Sequence, residues 1–505
     1  MPGAGPATVR GNLPGAVPVI PPPPAATLPT DPDVVVVGAG AAGIAAATAL
    51  RAEGLACVVL EAADRVGGRC RTESDSLGSP FDHGASWLHA GDRNPLVPLA
   101  GRLGIGLLDQ RRGERDRVTF VDGRRATAAE LAEYDAAEEA FHASAFRLDR
   151  ARAAAGGPDL PLSAATPDRR FAATVEAWEG PVISAAEADA ISLEDWAANL
   201  LDGPNYAVST GLGALVARLA EGLPVVAGAP VTRIEWGGPA GGTRVRVSGP
   251  RGTVRARCCL VTVSTGVLAA GSIAFDPPLP EATRDAVAAL PMGLLTKVAL
   301  RAARQPAGHP PERPAGRPDG PDRLDLPDFA GIDREVARGE RLMVFQAWPF
   351  GRDHVIGFVG GRSARALAGV TDAEAVALAR EELRRGFGTR ADRALDPARA
   401  VVTRWGTDPL TLGSYSYAVP GGHAARLALA RPVAPGRLHL AGEACHPHLA
   451  GTAGGAWQTG LEAGAAIARA LRGAAGPAVA PAPRAPSAHE PRAPSAREPR
   501  DPTDP

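Results

Sequence analysis

An α/β fold is what this sequence predicts, with a Rossmann-like βαβ unit near its start and a strand near its end that completes the same sheet. Three observations carry that reading. Val34–Val37 is a run of β-branched residues ending at a glycine, the pattern of a short buried strand. It leads directly into Gly38-Ala39-Gly40-Ala41-Ala42-Gly43 and an alanine-rich helical stretch, Ala41–Ala52. A second apolar run, Cys57–Leu60, then leads to Glu61, 18 residues after Gly43. At about that separation an acidic side chain can accept hydrogen bonds from a ribose diol.

The glycines of the first turn permit a tight bend and let backbone N–H groups approach a pyrophosphate at the helix N-terminus. A dinucleotide is therefore expected here. After Glu61, Asp64-Arg65-Val66-Gly67-Gly68-Arg69 places two glycines and an arginine just past the second strand. Arg69 is suited to neutralise a phosphate or to lie beside a flavin ring. Leu131–Arg147, Ala373–Phe387 and Gly455–Leu471 read as helices, and Thr243–Val247 and Val254–Val263 as hairpin strands. Leu438–Ala441 is a third strand-like run and ends in Gly442-Glu443, placed to meet the ribityl or pyrophosphate region. The helix after Gly454 would direct its positive end at a bound ring system.

Composition narrows the function classes. The chain has 505 residues with 60 glycines and 49 prolines, yet 45% of it is hydrophobic, which suits a globular body between Pro-rich ends. Residues 1–31 and 473–505 are expected to be disordered tails, and 305–327 a Pro-rich surface loop. No apolar run is long enough for a membrane-spanning helix, and the N-terminal stretch lacks the apolar segment of a secretory signal. A net charge of −1 without long charged runs argues against a nucleic-acid surface. Five cysteines, two of them adjacent (Cys258 and Cys259), suit free thiols in the cytoplasm.

Lysine and arginine together number 54, and only Lys297 is a lysine. A solvated surface position accepts either cation. A site that needs a compact ammonium, or an amine able to lose its proton when buried, does not accept the guanidinium fork. Lys297 is therefore expected to be functional.

The chain resembles the flavin-containing amine oxidase family, nearest to polyamine oxidases and the related demethylase-type oxidases. The resemblance rests on VVVVGAGAAG, LEAADRVGGRCRT, FDHGASWLHAGDRNP, VTVSTGVL, GLLTKVAL, WGTDPLTLGSYSY and LAGEACHP with GGAWQTG, and it covers nearly all of residues 33–471. It implies FAD. Gly38, Gly40, Ala42, Gly43 and Glu61 would then serve the pyrophosphate and ribose, with Gly68 and Arg69 beside the flavin. Gly84, Ala85, Ser86 and Trp87 would run along the isoalloxazine edge. Val231 would hold the adenine through its backbone, Gly442 and Glu443 would lie near the ribityl chain, and Thr452 near the ring. The FAD-binding domain would be assembled from 32–112, 213–290 and 400–472, and an α+β substrate domain from 113–212 and 291–399.

For the chemistry, the resemblance places Lys297 where a water links it to flavin N5, and Trp405 and Tyr415 on an aromatic wall. His89 falls where polyamine oxidases present a histidine to substrate. The implied reaction oxidises a primary or secondary amine, a polyamine favoured, by hydride transfer to N5. Imine hydrolysis then gives the aldehyde, and oxygen is reduced to hydrogen peroxide. Three features depart from the family. Ser414 replaces the cysteine that attaches flavin covalently in some members, so FAD should be non-covalent. Leu449 and Thr452 replace tyrosine, which suggests a wider pocket. Ser264-Thr265 stands where Pro-Leu is common. His446 and His448 lack the partners for a metal site, so no metal is expected. An L-amino-acid oxidase, which would need an arginine clamp for the substrate carboxylate, is the nearest alternative. A catalytically weakened flavin-binding interaction protein is one of another class.

Overall fold

The computed structural model describes residues 28–110, 116–237, 244–303 and 323–472. The expected C-terminal tail, and most of the expected N-terminal tail and Pro-rich loop, lie outside the described residues.

A parallel five-stranded sheet forms the nucleotide half. Its strands are β1 (Val34–Val37), β2 (Cys57–Leu60), β3 (Val225–Val226), β4 (Cys258–Val261) and β5 (Leu438–Leu440), in the spatial order β3-β2-β1-β4-β5. Every residue of β1 is buried. Val34 and Val36 face one apolar cluster and Val35 and Val37 another. An all-valine strand is what a sheet covered on both faces requires. The adjacent Cys258 and Cys259 likewise enter opposite clusters, as strand alternation dictates.

Helix α1 (Ala41–Ala52) has the bounds its sequence indicated, and it packs along α2 (Ala453–Leu471). The close approach depends on two glycines of α2. A Cβ at Gly460 would stand 2.1 Å from the carbonyl oxygen of Ala42, and one at Gly464 would stand 2.9 Å from that of Ala46. Gly460→Val should lower stability by about 1–3 kcal/mol, because backbone rather than a flexible side chain blocks the new atoms. Urea denaturation of the two proteins checks this.

The second half is a seven-stranded sheet in the order Leu395–Val402, Leu295–Ala302, His354–Gly360, Met343–Ala347, Gly331–Arg334, Arg117–Val121, Arg124–Arg125. The strand Leu395–Val402 runs across the division expected at residue 400. The long helix Ala128–Ala155 extends the expected Leu131–Arg147 in both directions. A capping box of Thr127 and Glu130 starts it, and Gly156 in the left-handed region ends it.

One expected element is corrected. Val254–Val263 is not a single hairpin strand. The chain pairs antiparallel over Gly252–Ala256, breaks at Arg257, and continues as β4 in the parallel sheet. Arg257 makes the break by bonding Asp33 and the Leu471 carbonyl, which draws the chain toward the other sheet. Among the described residues no helix is long and apolar enough to cross a membrane.

Candidate active site

The turn after β1 is shaped for a large ligand. Gly38 has φ +100°, and a Cβ there would stand 2.9 Å from Thr262 Oγ1. A Cβ on Gly43 would stand 1.9 Å from the Gly38 carbonyl oxygen, so helix and turn close only around glycine. A Cβ on Gly40 would meet nothing within 4 Å. Backbone N–H groups at the start of α1 therefore border open space, as a pyrophosphate needs. Ala42 is buried in α1. Gly68, at φ +57°, packs against Gly40, since its Cβ would lie 3.4 Å from the Gly40 Cα. The two glycine turns thus form one cradle, and Gly442 (φ +148°) also faces open space.

Glu61 sits just past β2 with one carboxylate oxygen 2.6 Å from Ala39 N and the other 2.8 Å from Ala63 N. Burial raises its pKa, opposed by those two N–H donors. Each oxygen keeps a lone pair for a ribose hydroxyl, and such bonds would favour the charged form. The cradle and Glu61 fit the dinucleotide portion of FAD. Glu61→Gln should weaken FAD binding roughly tenfold to a hundredfold, since a charge-assisted acceptor becomes a neutral one. Cofactor titration by fluorescence quenching measures it.

Arg69 donates one hydrogen bond to the Ser414 carbonyl (3.0 Å) and one to Glu443 Oε1 (2.8 Å). Glu443 is buried and also accepts from Ser416 N, Ser416 Oγ and Gly451 N. Burial works to raise its pKa, but the Arg69 guanidinium and the Ser416 hydroxyl hold it below the ordinary value. The network continues inward. Arg426 bonds Ser416 Oγ and pairs with both oxygens of Asp195 at 2.7 Å each, and His423 bonds the same carboxylate at 2.9 Å. Neither Asp195 nor Arg426 stood out in a sequence with so many charged residues.

Lys297 lies on the strand Leu295–Ala302, opposite Phe358, and is 3% exposed. Its backbone is bonded at both ends to Thr403. Its Nζ donates to the Asp82 carbonyl (2.8 Å), the Gly84 carbonyl (2.6 Å) and Ser86 Oγ (2.6 Å). All three ammonium protons are therefore held by protein acceptors, and a water linking Lys297 to a cofactor would compete with them. Burial lowers the Lys297 pKa to about 8, opposed by the Asp82 charge. Asp82, absent from the sequence expectations, anchors this segment. Its carboxylate accepts from Thr72 Oγ1, Leu212 N and Gly213 N.

Trp405 is buried, donates its indole N–H to the His83 carbonyl (3.0 Å), and has Cζ2 3.2 Å from where a Gly84 Cβ would stand. Trp405 and Lys297 thus meet on the same glycine. Tyr415 is half-buried, and its hydroxyl donates to the Ile183 carbonyl (2.9 Å). Its pKa is raised by burial and by the Glu443 charge. Trp87 packs on Phe358, with ring centres 5.7 Å apart, and lies 6.3 Å from the ring of half-buried His89. The His89 carbonyl accepts from Asn94 Nδ2, and Asn94 abuts Gly454 at the start of α2. Ala85 is fixed by its N–H to the Arg69 carbonyl. Val231 is half-buried, packed on the cluster that holds Val37 and Leu60.

Thr452, expected near the ring, also has a structural role. Its hydroxyl accepts from Gly455 N and donates to the Leu449 carbonyl, so it caps α2. Leu449 is buried as well. The departure at Ser264-Thr265 gains a physical account: Ser264 caps the helix Thr265–Ala269 and donates to the Thr411 carbonyl. His446 Nδ1 accepts from His448 N and Leu449 N, a structural role. Among the described residues, Glu138, His142 and Glu179 bring one donor atom each within 4.8 Å of one another. The His142–Glu179 contact of 3.2 Å serves equally as a plain hydrogen bond.

Comparison with known proteins identifies the family and the fold. The chain is 31% identical over 463 residues to polyamine oxidase 4 of Oryza sativa subsp. japonica, covering 86% of this chain and 88% of the relative. It is 30% identical over 502 residues to lysine-specific histone demethylase 1 homolog 1 of the same plant, covering 92% of this chain but 56% of that protein. A redesigned putrescine oxidase shares the fold with a TM-score of 0.67 at 22% identity, over 87% of this chain and 99% of that one. Cyclohexylamine oxidase from Brevibacterium oxydans does so with a TM-score of 0.63 at 23% identity, over 88% and 100%. The model of the flavin-containing amine oxidoreductases matches residues 41–468, so the chain belongs to that family, an amine oxidase whose cofactor is FAD.

Proposed function

We propose that this enzyme oxidises a primary or secondary amine, with a polyamine as the favoured substrate, and releases an aldehyde and hydrogen peroxide. The observation that carries this reading is the sole lysine of the chain, buried beside Trp405 on the Asp82–Ser86 segment. The polyamine preference is supported by the polyamine oxidases among the relatives and by His89 next to Trp87.

Bound FAD supplies the acceptor for the hydride and the site at which oxygen is reduced. The glycine cradle and Glu61 would hold its dinucleotide portion, and Arg69 with Glu443 its central region. The aromatic faces of Trp405 and Tyr415 bind an amine and exclude water from the carbon beside its nitrogen. His89 takes or returns a proton at the amine nitrogen as substrate enters. Lys297 presents positive charge where negative charge develops. Ser414 offers a hydroxyl, bonded to both backbone groups of Leu295, where a thiol would be needed for covalent attachment. FAD is accordingly read as non-covalent. The cytoplasm fits five buried, unpaired cysteines.

We take 32–112, 213–290 and 403–472 as the FAD-binding domain and 113–212 with 291–402 as the substrate domain, the last boundary standing at the end of the Leu395–Val402 strand and not at the expected residue 400. Peroxide release with putrescine, spermidine, phenylethylamine and leucine tests the function. The di- and polyamines should give the highest kcat/KM, by about tenfold or more. Preference for leucine would make the enzyme an amino-acid oxidase, and no anaerobic bleaching by any amine would make it a non-catalytic flavoprotein.

A further inference from the structure

We propose that Ser86 is the proton-relay partner of Lys297, the group through which the buried amine loses and regains its proton. The use of that proton rests on the oxidase reading above; the pairing itself does not.

The argument begins with the acceptors around Nζ. They are two carbonyl oxygens and one hydroxyl: Asp82 O, Gly84 O and Ser86 Oγ. An ammonium has three N–H donors and no acceptor. A neutral amine has two N–H donors and one lone pair. The two carbonyls can only accept, so they hold an N–H in either state. The third partner must accept from the ammonium yet donate to the amine. A third carbonyl would lock the group in its charged form, and an apolar neighbour would favour the neutral one. Of the three partners, the Ser86 hydroxyl alone can reverse its hydrogen bond.

The position of Ser86 suits an exit. Lys297 is almost wholly buried, whereas Ser86 is half-buried. The second contact of the Ser86 hydroxyl, to the Gly84 carbonyl, is 3.3 Å, long for an O–H donor, so its proton is weakly held. In the transfer, an Nζ–H bond breaks as an Oγ–H bond forms. The former Oγ–H bond breaks in turn, and its proton passes to a solvent water. Lys297 ends as a neutral amine, the serine is regenerated, and no electrons change hands. The reverse path recharges the lysine.

The surrounding groups leave both states accessible. Asp82 is the charge that opposes burial of the ammonium. His83 is pushed down to about 4, by burial first and then by Arg71, with the Glu73 charge opposing. From the neighbouring strand His354 is pushed down to about 3 by burial and by Arg352. Both histidines are thus neutral where Lys297 titrates. Phe81 and Phe358 lie 5.9 and 5.5 Å from Nζ, at cation–π range. Thr403 bonds the Lys297 backbone and adds no charge.

Because Lys297 is the only lysine, protein grown with ¹³C,¹⁵N-labelled lysine gives one side-chain ammonium signal, already assigned. The FAD-loaded wild type, Ser86→Ala and Ser86→Thr would be titrated by NMR, with circular dichroism confirming that each is folded. The wild type should titrate at about 8. In Ser86→Ala the charged form loses a charge-assisted bond and the neutral form a weaker one, so the midpoint should fall by about one unit. Exchange of the Nζ protons with solvent should slow about tenfold or more, because carbonyls cannot carry a proton onward. Ser86→Thr, which keeps the hydroxyl, should restore both. An unchanged midpoint and exchange rate in Ser86→Ala would overturn the proposal, as would failure of Ser86→Thr to restore them. Neither reading needs an amine substrate, so the result stands apart from the substrate panel.

Discussion

Substituting methionine for Lys297 is expected to leave FAD bound and to slow turnover about a hundredfold or more, the scale on which removal of a preorganised charge-stabilising donor acts. Methionine keeps the unbranched shape of the side chain, one atom shorter, and suits a site that is 3% exposed. The residues placed to hold the dinucleotide, the glycine cradle and Glu61, lie on other elements and are untouched. Steady-state and stopped-flow kinetics measure the loss, and unchanged rates would remove Lys297 from the mechanism.

The same variant has a stability signature whose sign follows from proton linkage. Burial lowers the Lys297 pKa from 10.5 to about 8. Below about 8 both folded and unfolded chains carry the proton, and stability does not depend on this group. Between about 8 and 10.5 the unfolded chain binds more protons, so stability rises with pH. The gain is on the order of 2–3 kcal/mol across that window. Lys297→Met should lack it. Urea denaturation of both proteins across the window isolates the difference, and equal slopes would show that Lys297 does not titrate there.

Arg426→Leu is expected to destabilise the protein by about 3–5 kcal/mol, because it leaves the buried Asp195 carboxylate without its two-pronged partner. Arg426 is 1% exposed and also donates to Ser416 Oγ and the Ala444 carbonyl. Those contacts join it to Glu443 and Arg69, so FAD affinity should fall with stability. Replacing both Asp195 and Arg426 by leucine should cost clearly less than the single change, since no charge is then buried alone. Although burial pushes the Asp195 pKa up, Arg426 and His423 hold it down at about 2. The stabilisation is thus present above the unfolded value of about 3.9 and is lost as pH falls through about 2. In Arg426→Leu the carboxyl should protonate at higher pH, and acid unfolding should begin earlier. Equal cost for the single and double variants would show that the charges do not act as a pair.

Local features were legible in the sequence to the residue. The bounds of β1 and α1 were readable because a β-branched run, a glycine turn and an alanine-rich helix each declare themselves over a few positions. Lys297 was legible from composition alone, because every other basic residue is arginine. What depends on distant partners was not. Asp195 and Arg426 are 231 positions apart, and nothing in either neighbourhood marks them as a pair. The exchange of sheets at Arg257 was hidden because the alternating Val254–Arg257 stretch runs into the apolar Cys258–Val261 stretch with no glycine or proline between them. Thr452 carried a usable signal, a threonine directly before an alanine- and glycine-rich helix, which marks a cap. The resemblance drew attention to its place near the ring, and the cap went unread.

The order of strands in the parallel sheet bears on how the protein comes off the ribosome. β1 pairs with β2 within a few dozen residues, but its other neighbour, β4, is made more than two hundred residues later, and β4 waits for β5 near residue 440. At ordinary translation speeds roughly 20–80 s separate the first strand from the last. For roughly the first 10–45 s of that interval, until β4 is made, an all-valine edge stands without its partner, a sticky surface that a chaperone would have to shield.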